Sequence, residues 1–215
     1  MDLAHLGHLE MLTPKPEESL HFFVNVMGMT ESGREGDSVY LRGWDDYERH
    51  TLKLTASKLP GMAHVAYRAR SPQALERRVA ALKGSGFDIG WSDGDLAHGP
   101  AFVCQDPDGH KIELYYETQW YQAPPELKPA LKNQAQRFPA RGINVRRLDH
   151  WNGLAVDIEA NRELLPDGFT RESVQIGRNC PEALVTVRVV VDTAEDTGKQ
   201  PTKNVPCEEH PENEK

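Results

Sequence analysis

Long apolar runs are missing from this 215-residue chain. No stretch approaches the roughly 20 residues that a membrane helix needs, so no membrane span is expected. Basic residues are in the minority, with 25 Lys and Arg against 33 Asp and Glu. The resulting formal charge of −8 argues against nucleic acid or an anionic membrane surface as the main partner. Cysteine is scarce. Cys104, Cys180 and Cys207 are odd in number and widely spaced, fitting neither a disulfide framework nor a CxxC metal site. The opening MDLAHLGHLEML lacks a basic segment followed by an apolar one, so no signal peptide is expected and a cytoplasmic location is. What remains, 38% hydrophobic and 27% charged residues, is ordinary for a globular protein. The length suits one large domain, or one domain plus a fragment.

Within that ordinary composition a pattern recurs three times. HLEMLTPKPEESLHFF from His8, HVAYRARSPQALERRV from His64 and HWNGLAVDIEANRELL from His150 each read as a short strand, a turn and an amphipathic helix. Pro14, Pro16, Glu17 and Glu18 mark the first helix start, and Leu20 and Phe23 follow at helical spacing. Ser71 and Pro72 are an N-cap and first-turn proline ahead of the apolar stripe Leu75, Val79 and Leu82. Asp157 can cap the third helix, which carries Ile158, Asn161 and Leu165.

Strands follow the first two helices. DSVYLRGW and HTLKLTA alternate, as do FDIGWS, AFVCQ and KIELYYE, the last two joined by the turn sequence Asp106-Pro107-Asp108-Gly109. Each unit is a strand, a helix and two or three more strands, too small to bury its own sheet face. The expected fold is α+β, with two paired βαβββ units sharing one core over residues 4–119. Residues 120–144, rich in Pro, Lys and Gln, read as a linker with at most one short helix. A partial third unit is expected over 145–191, where ALVTVRVVV can form a strand, and a disordered tail over 192–215.

His8, His64 and Glu113 are the candidate ligands. His8 and His64 head equivalent strands, and Glu113 sits between Ile112 and Leu114 in the last strand of the second unit. A carboxylate flanked by apolar residues needs a partner, since an unpaired buried charge is costly. Two histidines and a carboxylate suit iron(II), manganese or zinc with open positions. The blander reading is two satisfied strand histidines and a glutamate paired to a cation across the sheet. His5, His21, His50, His98, His110 and His210 share no register and read as surface or local polar residues. Tyr115, Tyr116, Trp120 and Tyr121 read as core or linker packing.

HLEMLTPKPEESLHFFVNVMGM, GDSVYLRGWDDYERHTLKL, AHVAYRARS and DPDGHKIELYYE together resemble the vicinal-oxygen-chelate superfamily. With INVRRLDHWNGLAVDIEANREL after the linker, the chain is similar to the extradiol catechol 2,3-dioxygenases, over residues 3 to about 165. The resemblance implies Fe(II), with Mn(II) as the alternative metal, a catechol-type substrate, O2 and a homo-oligomer. It also implies an N-terminal scaffold domain and a C-terminal domain in which His150 is the first iron ligand. The contexts of the other two family ligands are not found. His210 lies in CEEHPENEK, a charged, proline-containing segment that does not read as a buried strand, and its spacing from His150 is taken as coincidence. The chain therefore reads as a catechol dioxygenase cut off, or read out of frame, early in its catalytic domain. It is expected to lack ring-cleaving activity alone. The alternative is a non-catalytic scaffold that folds and self-associates.

Overall fold

The computed structural model of the chain describes residues 2–128, 141–153, 155–156, 158–164 and 186–191. The expected tail, His210 and residues 129–140 of the linker lie outside the described residues. The first unit is β1 (Leu3–Thr13), α1 (Pro16–His21), β2 (Thr30–Glu35), β3 (Ser38–Arg42) and β4 (Leu52–Ala56). The second is β5 (Gly61–Ala69), α2 (Pro72–Leu82), β6 (Asp88–Ser92), β7 (Ala101–Gln105) and β8 (Lys111–Tyr115). A 3-10 turn, Pro125–Leu127, occupies part of the linker. Beyond it come β9 (Val145–Asn152), α3 (Ile158–Leu164) and β10 (Thr186–Val191).

The helices begin where their sequences say. Pro16 opens α1, with Glu17 and Glu18 in its first turn, where the positive end of the helix dipole favours acids. The helix then widens into a π turn through Phe22–Val26, closed by the Met27 amide donating to the Phe22 carbonyl. Ser71 caps α2 by accepting from the Ala74 amide at 3.1 Å, and Pro72 follows at the first helical position. The apolar stripe of α2, with Ala74, Leu75, Val79 and Leu82, is buried.

The two units form one eight-stranded sheet in the order β2-β3-β4-β1-β5-β8-β7-β6. The order is symmetric about the central antiparallel pair β1 and β5, which matches Leu9 to Val65 and Glu10 to His64. Flanking that pair, β4 runs parallel to β1 and β8 runs parallel to β5. The strand periodicity sorts residues onto two faces. Leu9, Val65, Tyr67, Phe102, Ile112 and Leu114 join the core with Leu75, Val79 and Leu82 of α2, while Leu20 and Phe23 pack against it. Ala66, Glu113 and Tyr115 are aligned on β5 and β8 toward the other side.

β2 is a strand that pattern alone did not distinguish. Its sequence, TESGRE, lacks apolar alternation, and it forms by pairing with β3 at the sheet edge.

The start of the third unit packs onto the first two. Val145 is buried in their core, and its amide donates to the Met27 carbonyl at 3.0 Å. The Trp44 and Asp45 amides donate to the carbonyls of Val145 and Arg146. Gly43 is required here, because a Cβ would run into the Arg146 carbonyl. Asp46 completes the junction. Its carboxylate accepts from the Gly43 amide at 2.6 Å, the Thr51 hydroxyl at 2.7 Å and the Leu148 amide at 3.3 Å. Further along, Asp108 of the turn before β8 accepts from the Val156 amide and from Asn161 Nδ2. Trp151 Nε1 donates to the Tyr67 hydroxyl at 2.5 Å.

Burial pushes the Asp46 carboxyl up to about 6, against the opposing hydrogen bonds of Thr51, Gly43 and Leu148 and the charge of Arg42. A folded pKa above the unfolded value of about 3.9 means that the folded chain binds the extra proton between those limits. Asp46 should therefore subtract stability as pH rises from about 4 to about 6. Chemical unfolding of wild type and Asp46→Asn across that range should show the wild type losing ground to the variant. A stability difference that is flat, or that moves the other way, would contradict this account of the junction.

Candidate metal centre

The face of the sheet away from α2 holds an unusual density of imidazole. His8 comes from β1, His64 from β5, His50 from the residues before β4 and His98 from the loop before β7. All four are buried. The His8 ring lies 4.8 Å from His50, 5.1 Å from His64 and 5.1 Å from His98, centroid to centroid. Tyr115 closes one side, 4.7 Å from His98 and 5.9 Å from His8.

His8, His64 and Glu113, the three candidates of the first domain, are brought together. His8 Nε2 and His64 Nε2 lie 2.9 Å apart with one proton between them, and Glu113 Oε2 lies 3.5 Å from His64 Nε2. Two further histidines join them. His50 and His98, expected to be surface or local polar residues, are instead 3% and 8% exposed. The loops that carry them fold back over the sheet, a placement that no strand register could indicate. His98 Nε2 is 4.0 Å from Glu113 Oε2, and ligand-capable atoms of His8, His98 and Glu113 all lie within 4.8 Å of one another.

Outer contacts orient these rings. Glu10 Oε2 accepts from His64 Nδ1 at 2.9 Å, leaving Nε2 aimed into the cluster. The Gly99 carbonyl can only accept, so His98 Nδ1 donates to it at 2.9 Å, and Nε2 is again the inward atom. Glu10 is itself held by Thr55 at 2.5 Å and by Lys53 at 3.4 Å. Lys53 continues to Asp95, which also accepts from the Tyr40 hydroxyl. Burial alone would raise the Glu10 carboxyl, but the hydrogen bonds from His64 and Thr55 and the nearby Lys53 hold it at about 2. Burial, with His50, His64 and His98 close by, holds His8 well below the ordinary histidine range, and burial beside His98 brings His50 to about 4. His8 and His50 are thus neutral, the form in which imidazole binds metal.

Three cluster atoms are left over. His98 Nε2 and Glu113 Oε2 are buried without a hydrogen-bond partner, as is His50 Nε2. Orphaned buried polar atoms are uncommon, and in a cluster of this composition a cation would satisfy them.

Beside the cluster, Glu48 is fully satisfied. It accepts from His5 Nε2 at 2.9 Å, the Tyr115 hydroxyl at 2.6 Å and the Thr118 hydroxyl at 2.8 Å. Gly7 makes room for that tyrosine, since a Cβ there would run into its hydroxyl. Tyr115 is therefore both packing and a polar contact. Arg68 lies 4.7 Å from the Trp120 ring centre and Arg42 lies 3.4 Å from that of Tyr121.

His150 stands apart. On β9 its side chain is 55% exposed, and Nδ1 lies 2.5 Å from the neighbouring Asp149 carboxylate. Among the described residues it belongs to no convergent set of three ligand side chains.

Residues 5–114 match the Glyoxalase/Bleomycin resistance protein/Dioxygenase superfamily. A metapyrocatechase of Geobacillus stearothermophilus is 50% identical over 151 residues, covering 70% of this chain and 46% of that protein. A manganese-dependent 2,3-dihydroxybiphenyl 1,2-dioxygenase of Geobacillus genomosp. 3 is 36% identical over 153 residues, covering 70% and 48%. The chain thus spans about half the length of these relatives. Among solved structures, the 2,3-dioxygenase LapB from Pseudomonas sp. KL28 superimposes with a TM-score of 0.67 at 23% identity, over 78% of this chain and 58% of that one. Homoprotocatechuate 2,3-dioxygenase from Brevibacterium fuscum gives 0.64 at 22% identity, over 77% and 50%. These two likenesses speak for the fold.

The Tyr115–Glu48 bond yields a stability prediction. Tyr115→Phe keeps the ring but removes one of three donors from a carboxylate that is 4% exposed. The loss should be about 1–3 kcal/mol in guanidinium unfolding, with the denaturant slope unchanged. Undiminished stability would mean that His5 and Thr118 satisfy Glu48 without the tyrosine.

Proposed function

From its membership of the Glyoxalase/Bleomycin resistance protein/Dioxygenase superfamily, we propose that this chain carries the first domain of an extradiol dioxygenase. The whole enzyme would open catechol rings with O2 at a divalent metal, Fe(II) or alternatively Mn(II). One observation carries the reading. The 50% identity to a metapyrocatechase runs over 151 residues, beyond the 110-residue span of the superfamily match.

The family's metal does not fit the described residues around His150. That histidine is exposed, pairs with Asp149, and has no second histidine or glutamate converging on it. A single exposed imidazole does not set the coordination number or geometry that such a metal needs. No ring-opening step is therefore assigned to residues of this chain. Its contribution is structural: an open eight-stranded sheet against which β9 is fixed through Val145, Asp45 and Asp46.

A second reading, a non-catalytic scaffold that self-associates, draws support from the same isolation of His150. It also draws on Ile89 and Trp91, more than half exposed on the edge strand β6. Homo-oligomerisation is part of both readings.

The test joins two experiments. The purified chain, supplied with ferrous iron, catechol and oxygen, should give no yellow ring-opened semialdehyde. A chimera that places residues 1–144 ahead of the second half of the Geobacillus metapyrocatechase should restore the product. A chimera that folds but stays inactive speaks for the scaffold reading, and clear turnover by the chain alone would overturn the assignment.

A further inference from the structure

Within the first two units, one buried position has the composition of a metal site and lacks the satisfied hydrogen bonds of a finished polar network. His98 is 8% exposed, and its inward Nε2 has no hydrogen-bond partner. Glu113 Oε2 is likewise buried and unpartnered. Leaving buried polar atoms unpaired is costly, and at 4.0 Å the two are too far apart to hydrogen-bond each other. Meanwhile the opposite nitrogens are already held, His98 Nδ1 by the Gly99 carbonyl and His64 Nδ1 by Glu10. Histidine ligands characteristically show this arrangement, with one nitrogen fixed by an outer acceptor and the other facing the ion.

We propose that His8, His98 and Glu113, joined by His64, bind one divalent zinc-type ion inside the first domain. This site is separate from any metal that His150 would help to hold, and it does not rest on the dioxygenase reading. Ligand atoms about 2.0–2.2 Å from zinc lie about 3.3 Å from one another in a tetrahedron. The separations of 2.9 Å for His8–His64 and 3.5 Å for His64–Glu113 bracket that value. His98 Nε2, at 4.0 Å from Glu113 Oε2 and in a set whose ligand atoms lie within 4.8 Å of one another, has to draw in toward the other ligands by a side-chain rotation. The ion takes the place of the proton between His8 and His64, which moves to His8 Nδ1 so that both rings stay neutral and offer Nε2. Three imidazoles and one carboxylate suit zinc or cobalt better than magnesium or calcium, which prefer oxygen alone. With four protein ligands on buried residues the ion is structural, tying β1, β5, β8 and the loop before β7 together.

The experiment uses the full chain stripped with a chelator and titrated with Zn(II) by calorimetry, with thermal melting in parallel. One ion per chain is expected, with dissociation constant below about 1 µM and a rise in melting temperature of several degrees. Co(II) in place of zinc should give the intense visible absorption of a tetrahedral site. Glu113→Gln, nearly the same shape, and His98→Ala should each weaken binding by more than about 100-fold, while His150→Ala should not. Melting of the metal-free variants establishes that they fold; if His98→Ala does not, Glu113→Gln decides. No stoichiometric binding by the wild type, binding indifferent to Glu113→Gln, or binding lost in His150→Ala would each overturn the proposal, leaving a buried histidine network without an ion.

Discussion

Antiparallel pairing of β1 with β5 is the constraint on which the rest depends. Neither unit can cover its own sheet face, so each uses the other. Pairing their first strands puts β4 and β8 in parallel positions outside them and makes one continuous sheet with a single apolar core beneath. Strand alternation then does two things at once. It sends Leu9, Val65, Ile112 and Leu114 toward α2, and it leaves Glu10, His64 and Glu113 on the other side. Slipping the β1–β5 register by one residue would exchange those sets, burying carboxylates in the core.

The polar side is costly, and most of it is compensated. Glu48 has three donors, Asp46 has three, and Glu10 is shared among His64, Thr55 and Lys53. His8 and His50 avoid the cost by staying neutral. Against that background the unpartnered His50 Nε2, His98 Nε2 and Glu113 Oε2 stand out, because all three lie in the same cluster as the otherwise well-oriented His8 and His64.

Local signals made much of this legible from the sequence. The Ser71-Pro72 start of α2, the Asp-Pro-Asp-Gly turn before β8, and the triple recurrence of a histidine-bearing strand and a helix each have a short-range physical cause, although His8, His64 and His150 lie inside their strands rather than at the heads. They were enough for the paired βαβββ fold, and for the meeting of His8, His64 and Glu113, since strand register alone brings those residues together. What was not legible depends on long-range folding. His50 and His98 sit in loops, so no periodicity ties them to the cluster. β2 exists because β3 offers an edge, and its own residues carry little strand pattern. Val145 reads as the start of a new unit, yet it completes the core of the old one, an arrangement that needs Gly43 to admit the Arg146 carbonyl. His150, which the resemblance marks first, is at the surface.

The central claim is that the histidine-rich face of this sheet is an ion site rather than an inert polar core. Crystals of the zinc-loaded chain, with diffraction recorded just above and just below the zinc absorption edge, address it most directly. The account predicts one anomalous peak between His8, His64, His98 and Glu113, within about 2.0–2.2 Å of their ligand atoms. A map with no peak there, or with its density only beside His150 and Asp149, would contradict it.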